Sequence, residues 1–168
     1  GRLRRGWEER GRPAAEAVRS NLLGTEVTGA HMVVCLLDSA VLGLSHRRLG
    51  ELEPRLAETA RAVLRTKERH VAFFGEEAAA RLSVGGRSRR PARTAVARWN
   101  WPGTHRGGPA SAAAAARRLF AGAAAEEAVL DLDRATATLP GLSGVRPVHT
   151  ALVRIRRGET VRNADRAA

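Results

Sequence analysis

Residues 25–49 read TEVTGAHMVVCLLDSAVLGLSHRRL, and residues 53–82 read EPRLAETARAVLRTKERHVAFFGEEAAARL. In the first stretch the apolar positions recur as Val27, Ala30, Val34, Val41, Leu42 and Leu49, the three-and-four spacing of an amphipathic helix. Thr25 is placed to cap it, so the pattern predicts a helix over 26–49. In the second stretch Leu56, Ala60, Val63, Val71, Phe74, Ala78 and Leu82 form one stripe and predict a helix over 53–82. Gly50 suits a C-cap, and Pro54 suits a first turn, where its missing N–H would be unpaired anyway. A connection this short folds two long helices into an antiparallel hairpin.

Outward from the hairpin the pattern weakens. Residues 1–24 read as a polar, glycine-broken leader with a short helix over 14–23, and residues 25–84 as the core hairpin. Residues 85–109 read as an arginine-rich loop, bracketed by Gly85-Gly86, Pro91, Trp101-Pro102-Gly103 and Gly107-Gly108-Pro109, with at most one helical turn over 92–98. Residues 110–168 complete the same domain with C-terminal helices expected over 111–121, 126–139 and 147–156. The expected class is all-α, an antiparallel helical bundle with a long arginine-rich loop and short C-terminal helices.

With 168 residues, 43% of them apolar, the chain is the size of one domain with a real core. Val27 to Leu37 has no charged residue other than histidine, yet falls short of the roughly 20 apolar residues of a membrane span, so no membrane association is expected. A lone cysteine, Cys35, excludes an internal disulfide and a cysteine-rich zinc site and leans toward the cytoplasm; it reads as a small core residue. Residues 1–20 lack the apolar region of a signal peptide. Because residue 1 is glycine, the chain is expected to be processed or part of a longer one.

The net charge of +12 raises the question of a polyanionic partner. The excess is uneven. Residues 25–84 carry eight bases and eight acids, whereas residues 85–108 carry Arg87, Arg89, Arg90, Arg93, Arg98 and Arg106 with no acid, interleaved with Trp99 and Trp101. These eight residues could track phosphates and stack on bases, or contact an acidic partner. They also fit an exposed loop in a chain whose 29 basic residues include a single lysine, Lys67.

Polar residues interrupt both stripes. Asp38 lies four after Val34 and three before Val41; Lys67 lies four after Val63; His70 lies three further on. If the hairpin centres between residues 52 and 53, facing residues have numbers summing to about 105, and Asp38 faces Lys67. An ion pair is then expected, with His70 near it, since an unpaired buried charge is costly. The competing arrangement has Lys67 reaching to water, Asp38 at the rim and His70 packed as an ordinary side chain.

Residues 66–73, TKERHVAF, resemble the DEARHVAF stretch of the ferritin-like di-iron carboxylate proteins, in which a Glu-x-x-His on one helix and a glutamate on the preceding helix bind the metals. The resemblance covers residues 25–82, and Leu139-Pro140-Gly141-Leu142 matches the tail of bacterial members more weakly. It implies a ferritin-like bundle, whole or incomplete. Asp38, Lys67 and His70 would then be vestigial metal-site positions, His70 matching the histidine ligand and Lys67 replacing the glutamate. An ammonium there opposes two metal charges, and residues 1–23 hold no histidine for the other half of the site. The expectation is a metal-free relative without catalytic residues or cofactor, completed by a second copy or by further N-terminal helices. A metal-dependent oxidoreductase holding iron with another subunit is the alternative.

No P-loop follows Gly85-Gly86, and Asp131 and Asp133 diverge on a helix and make a poor cation site.

Overall fold

The computed structural model describes the backbone of residues 2–104 and 110–158 and the side chains of residues 27–104 and 111–158. Among them there are six α-helices and no strand: α1 (Arg2–Leu52), α2 (Ala57–Ser83), α3 (Gly86–Ala97), α4 (Ala110–Leu119), α5 (Ala123–Ala137) and α6 (Pro147–Arg156). The all-helical class expected from the periodicity holds.

The leader and the short helix expected over 14–23 are instead part of α1, which runs unbroken to Leu52. Its segment Val27–Leu52 is, by length and composition, long and apolar enough to cross a membrane, contrary to the reading of the Val27 to Leu37 run alone. Half of that segment is buried inside the bundle, as the core helix of a soluble protein also is. At its end the amide of Glu53 donates to the Leu49 carbonyl, and Pro54–Leu56 add one 3₁₀ turn before α2.

The hairpin forms, but in another register. Gly29 meets Arg81, Gly43 meets Lys67, and Gly50 meets Ala60, pairs whose numbers all sum to 110. The extra 3₁₀ turn moves the centre of the hairpin to residue 55 and slides α2 by more than one helical turn against the expected pairing. On α1 the seam is Gly29, Leu36, Gly43 and Gly50, which repeat every seven residues, the spacing of left-handed antiparallel packing; opposite them lie Arg81, Gly75, Lys67 and Ala60 of α2. Glycine on α1 lets α2 approach closely: a Cβ on Gly50 would lie 3.1 Å from that of Ala60.

Most of the expected arginine-rich loop is helix α3, packed along α1. Its buried residues Ser88, Ala92 and Val96 are spaced by four and lie on one face. Pro91 is the sixth of its twelve residues and, lacking an N–H, removes one intrahelical hydrogen bond. The chain then turns through Trp99 and Trp101, each only 5% exposed, and Trp101 packs edge-on against Phe120 at the end of α4.

One core joins Val33, Leu37 and Val41 of α1 to Leu82, Val96, Phe120, Val129, Leu142 and Leu152. α6 matches its expected bounds. Gly141, in the turn between α5 and α6, has φ +81, and a Cβ there would lie 2.6 Å from the Arg89 side chain. Both its conformation and its neighbour require glycine.

Candidate functional site

Asp38 does not pair with Lys67. Its Oδ1 accepts the indole N–H of Trp99 at 2.9 Å, and no ion pair within 4.0 Å joins it to the lysine. The cause is the register: Lys67 lies opposite Gly43, with room for a Cβ at 3.4 Å from its own. Lys67 is half-buried and acts on Asp38 only through its charge. His70 is exposed, 6.1 Å edge-on from Phe74, rather than turned to the α1 face. The convergence expected of Asp38, Lys67 and His70 therefore does not occur.

Burial pushes the Asp38 carboxyl above the ordinary 3.8, against the opposing pull of the Trp99 hydrogen bond and of the His31 and Lys67 charges. One turn before it, burial raises the Cys35 thiol, and the Asp38 charge raises it further. Cys35 lies 3.6 Å from the His31 ring nitrogen, but a raised thiol is a poor nucleophile, in keeping with a packing role.

A di-iron centre needs several carboxylates and imidazoles converging on one point. Here the half-buried carboxylate of Asp38 is occupied by an indole N–H, the His70 imidazole faces solvent, and residue 67, where the resembling motif has a glutamate, is a lysine. Among the described residues no three His, Cys, Asp or Glu side chains gather where they would share a metal. These residues do not fit the iron pair.

The arginine segment divides by face. Arg89 donates to the Leu82 carbonyl at 2.9 Å and Arg93 to the Gly141 carbonyl at 2.9 Å, tying α3 to α2 and to the α5–α6 turn. Arg87, Arg90 and Arg98 are exposed and line a groove between α3 and α1. Arg106 lies outside the described residues. Trp99 and Trp101 are core residues and offer no stacking platform, so the expected interleaving of arginine with accessible tryptophan is lost.

The carboxylate whose role sequence reasoning missed is Asp133. It is 3% exposed and accepts the amides of Val148 and His149, each at 2.9 Å, at the start of α6. Arg146, at the N-cap position, makes no side-chain cap, so a residue from α5 supplies the missing acceptor. Burial still raises its carboxyl above the ordinary value. The signal was an aspartate three before Thr136 on the buried face of α5, followed by Pro147 opening the next helix. Asp131 turns outward to Arg134.

No protein-family model matches the chain, and neither a curated protein nor a solved structure matches it.

Proposed function

We propose that the chain is a metal-free helical bundle of ferritin-like descent that works by association with other helices rather than by catalysis. The observation that carries this reading is the Asp38–Trp99 hydrogen bond. A carboxylate at a former ligand position holds α3 to α1, and the lysine and histidine of the resembling motif are directed elsewhere. A side chain committed to packing in this way is poorly placed to ligate an ion.

The surface of α2 supports the associative half of the proposal. Of its 27 residues only Ala60, Ala78 and Leu82 are buried, while Phe73 is 55% exposed beside Phe74 and His70. A four-helix bundle covers such a face with two more helices, which a second copy of this chain or further N-terminal helices would provide. The ferritin-like assignment itself rests on residues 66–73.

Two measurements test the proposal together. Protein reconstituted with ferrous iron under anaerobic conditions and then desalted is expected to retain none stoichiometrically, and sedimentation equilibrium is expected to show self-association that Phe73→Asp weakens. Retained iron that Asp38→Ala and His70→Ala both abolish would establish the metal-dependent oxidoreductase alternative instead.

A further inference from the structure

α1 and α3 enclose an open groove of about 900 Å³, floored by Ala30, Pro91 and Ala95 and edged by Arg87, Arg90 and Arg98. Arg87 and Arg90 are three residues apart and Arg98 lies eight further on, at the C-cap, so at about 3.6 residues per turn the three form a row on one side of α3 about 16 Å long. Residues 85–104 contain no acid, and none of the described residues lining the groove is acidic. Elsewhere Arg118, Arg134 and Arg156 each meet an acid, Glu53, Glu127 and Glu126 respectively. Arg47, Arg55, Arg65 and Arg69 are exposed without one among the described residues, but they do not border this apolar groove.

The row also lacks a structural task. Arg89 and Arg93 of the same helix anchor backbone carbonyls, whereas the side chains of Arg87, Arg90 and Arg98 make no hydrogen bond to any described residue. Three like charges without a counter-charge beside an apolar floor favour a bound anion.

We infer that this groove docks an acidic, amphipathic helical segment of a partner protein. Its carboxylates would meet the arginine row, and its aliphatic side chains would cover Ala30, Pro91 and Ala95. An amphipathic helix laid in a groove presents both chemistries at one spacing. A nucleic acid supplies the anions but no aliphatic groups. No aromatic ring lines the groove to stack on bases, Trp99 and Trp101 being buried. The groove is separate from Asp38 and does not depend on whether the chain binds metal.

The test is selection of displayed three-turn peptides of about 12 residues, with acidic and aliphatic content varied independently, on the full chain. The counter-target is the Arg87→Ala/Arg90→Ala/Arg98→Ala variant, its folding verified by circular dichroism. Enriched peptides are expected to carry both features, to bind the variant at least about tenfold more weakly, and to weaken with salt. Ala95→Asp, which places a negative charge in the floor and leaves the row intact, is expected to weaken them too. The inference is overturned if no peptide prefers the unmodified chain, or if acidic content alone is enriched. It is equally overturned if a random-sequence DNA or RNA oligonucleotide binds more tightly than the best peptide through the same three arginines.

Discussion

The indole of Trp99 and the carboxylate of Asp38, 61 positions apart in the chain, meet in a 2.9 Å hydrogen bond that fastens the end of α3 to the middle of α1. Asp38 is half-buried, and among the described residues the indole N–H is the donor its carboxylate meets. The pair is worth most where solvent cannot substitute for the lost partner.

Trp99→Phe keeps the ring and removes the donor. It is expected to destabilise the fold by about 1–3 kcal/mol, through the unpaired carboxylate and lost volume. In an Asp38→Ala background the same change is expected to do less harm, so a double-mutant cycle from urea unfolding gives a positive coupling energy. Equal losses in both backgrounds would show that the bond contributes nothing.

The raised carboxyls of Asp38 and Asp133 set a sign for the pH dependence of stability. A folded-state value above the unfolded one means that the folded chain holds its proton more tightly. These two groups therefore favour the fold most below the ordinary 3.8, and that contribution is lost as pH rises through their raised values. Asp38→Asn retains an acceptor for Trp99 and cannot ionise. It is expected to flatten the pH dependence above pH 3.8 and to match or exceed the parent at neutral pH, as read from denaturant midpoints.

Lys67 has no ion pair to lose. Lys67→Met is expected to change stability by less than about 1 kcal/mol, since its stem already packs over Gly43 and methionine preserves that contact. Gly43→Ala, whose new Cβ would meet that stem at 3.4 Å, is expected to stabilise α1 by up to about 1 kcal/mol. The corresponding change at Gly50 meets Ala60 at 3.1 Å and is expected to gain less. A large loss from Lys67→Met would reinstate an Asp38–Lys67 interaction.

Asp133→Ala leaves the amides of Val148 and His149 without an acceptor at the head of α6. The expected loss is about 2–4 kcal/mol, with Asp133→Asn intermediate because it keeps one acceptor oxygen. Thermal melts of the two variants at neutral pH rank the effects; a reversed order would contradict the capping role.

The hairpin and α6 were legible because their signals are local: apolar spacing, Pro54 and Pro147 at helix starts, and few breakers inside. Register was not. One 3₁₀ turn at Pro54–Leu56 changes which residues face each other by more than a helical turn, and periodicity carries no information about it. This separated Asp38 from Lys67. α3 was hidden by its own punctuation, since Gly85, Gly86 and Pro91 read as a loop although Ser88, Ala92 and Val96 hold a helical face. The roles of Trp99 and Asp133 depend on long-range partners that no local pattern reveals.

Arg89 and Arg93 give α3 a consequence for how the molecule opens. Their guanidinium groups reach backwards to the carbonyl of Leu82 and forwards to that of Gly141, so a single short helix rivets the first half of the chain to the second. Amide hydrogens of α2 and of α6 should therefore exchange with solvent as one cooperative unit, and cutting both rivets should split that unit into two that exchange independently.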